Sequence, residues 1–107
     1  MTREKISALI RALRDLTERP ATYLGNSNDV TALQLWLFGM LASCQALGYR
    51  YSISLEVEIF ASHGLERNSD GVLGQLRASG LSEESIVYLL IDLEIEKWMR
   101  ASSELSD

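Results

Sequence analysis

The sequence predicts an all-α fold, a single domain built as a bundle of about five helices around two central apolar helices at 29–47 and 82–100. Three observations carry that expectation. Apolar residues recur at helical spacing along most of the chain. Only one stretch, 51–60, alternates as a strand would, and no second strand exists to satisfy its backbone groups. A chain of 107 residues is also long enough to bury one hydrophobic core without metal or disulfide staples.

The first helix is expected at 3–18, where Ile6, Leu9, Ile10, Leu13 and Leu16 form a stripe behind a Thr2 cap. Arg3, Lys5, Arg11, Arg14 and Arg19 lie off that stripe among Glu4, Asp15 and Glu18, as on a solvated face. Pro20 has no amide hydrogen and obstructs the preceding turn, so the helix stops at Arg19. Gly25 suits a sharp change of direction. Between them, Tyr23 and Leu24 are expected to plug the corner, with the Tyr23 hydroxyl at its rim.

Ser27, Asn28 and Asp29 offer caps for the second helix, 29–47, which is apolar nearly all round and therefore expected at the centre of the bundle. Gly39 in its middle suggests a close helix crossing, and Gly48 ends it. Residues 51–60 fit a strand through Ile53, Leu55, Val57 and Ile59, and a helix through Ile53, Val57 and Phe60. With no partner strand, a helix over 53–63 is the better reading. A loop with Gly64, Asn68, Ser69, Asp70 and Gly71 follows, then a short helix at 71–79 ended by Gly80. Ser82 caps the last helix, with Glu83 and Glu84 in the first turn, where the helix dipole favours acids. Its apolar face runs from Ile86 to Trp98, and 102–107 read as a frayed polar tail.

Charge is unevenly placed. Residues 1–51 carry six Lys/Arg against four Asp/Glu, and residues 52–107 carry four against eleven, giving −5 overall. No basic stripe for nucleic acid is present. The acidic half instead suits a basic protein partner, whose association complementary charge would speed and orient. Residues 30–48 approach the length of a membrane span, but Gln34, Ser43 and Gln45 interrupt them, and no membrane segment is expected. Residues 1–19 alternate in charge and do not read as a secretory signal. A single cysteine, Cys44, in an apolar run fits a reducing cytoplasm and a packing role.

Catalytic chemistry finds little support. His63 is the only histidine, expected at a helix end, and one His with one Cys cannot supply a usual zinc site. Asp92 and Glu96 share a helix face and, with His63, would be the residues of any small hydrolase or metal-dependent activity. The phosphate-loop, nucleophile-elbow and zinc-protease patterns are absent. No catalytic, cofactor or metal residue is assigned.

Two resemblances attach to the corner Arg19-Pro20-Ala21-Thr22-Tyr23-Leu24-Gly25. Residues 13–25 are similar to the start of the ATPase domain of DNA gyrase B and its relatives, where a helix leads into a like segment. The acid and Asn that serve ATP there have no counterpart in 33–39, so the likeness is local. Nearly the whole chain resembles small all-helical bacterial proteins with an R-P-x-x-Y-L-G corner, an apolar helix like 28–39, and an acidic, apolar last helix like 82–94. Some of those are immunity proteins of toxin systems, including contact-dependent inhibition. The resemblance implies a cytoplasmic, non-catalytic protein that masks a basic toxin or effector domain. Glu56, Glu58, Glu66 and Asp70 are the expected partner-binding residues. The alternative is a helical homodimer or scaffold subunit, suggested by the apolar second helix.

Overall fold

The computed structural model describes residues 1–67 and 71–105 and, among these, contains helices and no strand. In chain order the helices are α1 (Arg3–Glu18), α2 (Pro20–Leu24), α3 (Val30–Ala46), α4 (Ile53–Ser62), α5 (Gly71–Ala78) and α6 (Glu83–Ser103). The Asn68, Ser69 and Asp70 part of the expected loop lies outside the described residues.

Side-chain caps fix most of the starts. Thr2 accepts from the Lys5 amide (3.3 Å), Asp29 from Ala32 (2.9 Å), Ser52 from Leu55 (3.1 Å) and Ser82 from Ser85 (3.1 Å). Each satisfies one amide that the first helical turn leaves without a partner. The Ser52 cap belongs to the ambiguous segment, which is the helix α4. At the other end of α3, Tyr49 donates its amide to the Cys44 carbonyl (2.8 Å) and Gly48 to Gln45 (3.0 Å), with Gly48 at φ +82°. That pairing closes a helix through a left-handed residue, which glycine adopts without strain.

Helix α6 is the axis of the molecule. Ile86, Val87, Ile91, Leu93, Trp98 and Ala101 are all buried, so its circumference is covered on more than one side. It packs against α1, α3, α4 and α5. The α1 stripe of Ile6, Ile10, Leu13 and Leu16 is fully or nearly fully buried against this core.

Three expectations change. Helix α3 is peripheral rather than central, since only Val30 and Leu33 are buried along it. The bundle is flat, 42 × 30 × 21 Å, and an outer helix of a flat bundle has one covered side. Gly39 marks no helix crossing, because among the described residues nothing beyond its own helical turn lies within 4 Å of where its Cβ would be. Residues 102–105 are not frayed: α6 runs on to Ser103, and the Arg3 guanidinium donates to the carbonyls of Ser102 (3.2 Å) and Leu105 (2.6 Å). A cation on those last carbonyls also opposes the helix dipole, which favours the extension.

The corner is a sixth, one-turn helix. Arg19 leaves helical geometry (φ −134°, ψ 57°), and Pro20 then starts α2, the position where a missing amide costs nothing. Gly25, at φ +89°, ends it. Leu24 is the plug and is buried, whereas Tyr23 is half exposed. The Tyr23 ring meets Trp36 of α3 edge-on at 6.0 Å, and its hydroxyl donates to the Asp15 carboxylate of α1. Arg19 donates to the same carboxylate through Nε (3.1 Å). One acid thus ties α1, α2 and, through Tyr23, α3.

The Tyr23 hydroxyl first, and the Arg19 guanidinium second, hold the Asp15 carboxyl below its ordinary value of 3.8. A group depressed in the folded state adds stability above its unfolded pKa and loses it as pH falls through the folded value. Tyr23→Phe is therefore expected to raise the Asp15 pKa, as read by carboxyl NMR titration. It should also lower the melting temperature at neutral pH, with the difference from wild type shrinking once both forms of Asp15 are protonated.

Candidate functional site

Helices α3 and α4 both lean on α6 but not on each other, and the gap between them, closed at one end by α5, is a cavity of about 360 Å³. Each wall is a helical stripe. Gln34, Leu37, Phe38 and Leu41 come from α3 at spacings of three and four. Leu90, Leu93, Glu94 and Lys97 come from α6 at the same spacings. Positions so spaced share one side of a helix. Among the described residues, Glu56 and Phe60 of α4, Gly71 and Val72 of α5, and Tyr51 and Arg67 from the connections also line it.

The floor is polar. Glu94 and Lys97 are the two charged side chains buried among the described residues, at 4% and 7% exposure. Their oxygen and nitrogen stand 3.4 Å apart, at the long end of hydrogen bonding. The Tyr51 hydroxyl donates to the other Glu94 oxygen at 2.8 Å. Burial first, and the neighbouring Glu94 charge second, push the Tyr51 phenol far above its ordinary range, so it acts as a donor throughout the physiological range. The Lys97 ammonium lies over the Phe60 ring at 4.4 Å and nearer the edge of cation–π range from Tyr51 at 5.5 Å. Tyr51 in turn meets Trp98 edge-on at 5.1 Å, which joins the cavity floor to the core.

Around the cavity mouth and beyond it, α3, the residue that follows it and α4 expose large apolar side chains, Phe38 of the cavity wall among them. Leu35 and Phe38 are each 66% exposed, Leu47 77%, Ile53 61% and Val57 44%. Scattered single hydrophobes are ordinary on a protein surface, but a concentration on two neighbouring elements is a mark of a binding face.

The sequence-predicted acids do not converge. Glu56 turns to the cavity and faces Arg67 at 3.5 Å. Glu58, two residues on, leaves α4 in another direction and pairs with Arg100 of α6 at 3.2 Å. Glu66 is exposed, and its backbone is fastened to the Gln75 side chain of α5. Asp70 lies outside the described residues.

His63 caps the end of α4 and meets Glu96 of α6 at 2.8 Å, while Asp92 is exposed. Among the described residues, no group of three or more His, Cys, Asp or Glu stands close enough to hold a metal ion. Cys44 is half-buried, and burial first and the Glu94 charge second raise its thiol pKa, away from thiolate chemistry. Among the described residues, no helix is long and apolar enough to cross a membrane.

The polar floor was missed by counting charges, but one signal for it lies in the sequence. Glu94 and Lys97 share a helix face with Leu90, Leu93 and Trp98, so a charge pair sits inside an apolar stripe. No protein-family model, no curated protein and no solved structure matches this chain.

Proposed function

We propose that this chain is a non-catalytic binding protein that uses its α3–α4 face to mask a toxin or effector domain, as a bacterial immunity protein does. The supporting observation is that large apolar side chains stand exposed on α3 (Leu35, Phe38), just past its end (Leu47) and on α4 (Ile53, Val57), two helices that both rest on the α6 core. A rigid apolar patch gains free energy by excluding water from a partner, and a few residues near its centre supply most of that gain. The acids Glu58 and Glu66 stand exposed beyond it. At a rim, such charges speed and orient encounter with a basic partner more than they strengthen the complex. The likeness of the Arg19–Gly25 corner and the last helix to immunity proteins supplies the partner class.

The test is a pull-down of the C-terminal toxin domain encoded by the neighbouring gene, with rescue of toxicity in cells. Phe38→Asp and Leu35→Asp keep the fold, because both side chains are largely in solvent. Phe38→Asp is expected to weaken the complex by about 2 kcal/mol or more, roughly thirtyfold in Kd. Reversing Glu58 and Glu66 to lysine should chiefly lower the association rate and flatten its salt dependence. Wild-type affinity in Phe38→Asp removes the α3–α4 face from the reading.

The same exposed face favours a second reading, a homodimer or scaffold subunit closed through α3. A mass by light scattering that stays monomeric as concentration rises removes it, and a shift to dimer that Phe38→Asp abolishes supports it.

A further inference from the structure

We propose that the cavity between α3, α4, α5 and α6 is a binding site for a small monocarboxylate with an apolar body. This goes beyond the masking of a toxin domain and does not depend on it.

Size comes first. A cavity of 360 Å³ falls in the lower part of the range for small-molecule sites. At about 30 Å³ for each non-hydrogen atom, the share a water takes in the liquid, it holds on the order of a dozen atoms. The walls are Leu37, Phe38, Leu41, Phe60, Leu90 and Leu93, so most of that ligand is hydrocarbon.

The sign of its polar end follows from the hydrogen bonds at the floor. An ammonium has three N–H donors and no acceptor. Lys97 uses one, weakly, on Glu94 at 3.4 Å, and otherwise rests on the Phe60 ring face. Its side chain is only 8% exposed, so bulk water does not freely make up the difference. Glu94 stands the other way, with one oxygen held by the Tyr51 hydroxyl at 2.8 Å and the other toward Lys97. Arg67, the second cation of the lining, also meets its partner Glu56 at a long 3.5 Å. Both cations of the lining thus sit at long distances from their acids, and a ligand carboxylate between them would supply shorter, charge-assisted bonds. A cationic ligand would lie beside Lys97 and Arg67 and be repelled by both. A dianion would be held close to Glu94 and Glu56 and repelled by both. A single negative charge on an apolar chain satisfies the floor and the walls together.

The probe is sodium decanoate, twelve non-hydrogen atoms, below its micelle concentration. Decan-1-ol and decylamine serve as neutral and cationic counterparts. Amide NMR shifts of the full chain report the binding. Decanoate should give saturable shifts centred on the lining residues and bind on the order of tenfold or more tighter than either counterpart, as expected for one hydrogen-bonded charge. Glu94→Gln/Lys97→Met removes the ammonium while leaving Tyr51 an acceptor, and should bring decanoate down to the level of decan-1-ol. Leu41→Trp fills the cavity from the half-buried α3 wall, leaving the pair in place, and should abolish binding of all three. Far-UV circular dichroism confirms that each variant is folded. The proposal is overturned by absent or unsaturable shifts with decanoate, by equal binding of the alcohol or the amine, or by unchanged decanoate affinity in either variant.

Discussion

Lys97→Met is expected to lower stability by about 3–5 kcal/mol, the usual result of leaving one member of a buried ion pair without the other. Lys97 and Glu94 are 7% and 4% exposed, so neither can turn to bulk water when its partner is lost. The Tyr51 hydroxyl still donates to Glu94 in the variant, yet a single neutral donor does not replace a charge. Glu94→Gln/Lys97→Met should recover much of the loss, because the amide carbonyl keeps an acceptor for Tyr51 and no charge remains to be buried. Urea unfolding of the wild type, both single variants and the double variant gives the coupling directly. A coupling of about 3 kcal/mol or more is expected, at the top of the range for side chains in contact. A Lys97→Met variant within about 1 kcal/mol of wild type would mean that the pair is hydrated through the cavity. In that event water coordinates the ammonium at the cavity floor, and the carboxylate site loses its basis as well.

The contrast between helix ends and helix positions explains what was legible beforehand. Thr2, Asp29 and Ser82 are cap residues at the starts of three helices, and a cap acts within three residues, so sequence alone offers them. The stripe Ile6, Ile10, Leu13 and Leu16 is equally local, and all four side chains are buried. The placing of α3 depended on something periodicity does not contain. A helix that is apolar all round reads the same whether its own chain covers it or leaves it bare, and here Leu35 and Phe38 are bare. The surroundings of the acids were out of reach for a related reason. Counting charge along 52–107 cannot reveal that Glu58 finds Arg100 from 42 positions away, or that Glu56 turns inward to Arg67. The corner was legible as a break but not as a helix, because Pro20 ends α1 and begins α2 by the same missing amide. The cavity draws on four helices, and only the Glu94–Lys97 pair inside an apolar stripe pointed toward it.

Trp98→Ala is expected to cost about 3–5 kcal/mol, among the largest losses any single core truncation gives. Trp98, in the C-terminal half of α6, is fully buried and is the largest fully buried side chain among the described residues. It also supports the cavity floor through its edge-on contact with Tyr51 at 5.1 Å. One part of Trp98 works against the fold: its indole N–H is buried and, among the described residues, has no hydrogen-bond partner. An unmet buried donor costs about 1–3 kcal/mol, a sizeable fraction of what the ring contributes by packing. Trp98→Phe keeps most of the apolar area and the aromatic contact with Tyr51 and removes that donor. Its cost should therefore fall below about 1.5 kcal/mol, near that of a well-tolerated core exchange, despite the volume lost. Chemical denaturation of the two variants separates the effects, since the alanine change loses packing and donor together and the phenylalanine change loses chiefly the donor. Equal losses in the two would mean that the indole N–H is satisfied in solution. The near-UV circular dichroism of Tyr51 offers an independent reading: it should persist in Trp98→Phe and weaken in Trp98→Ala, where the ring that orients the phenol is gone.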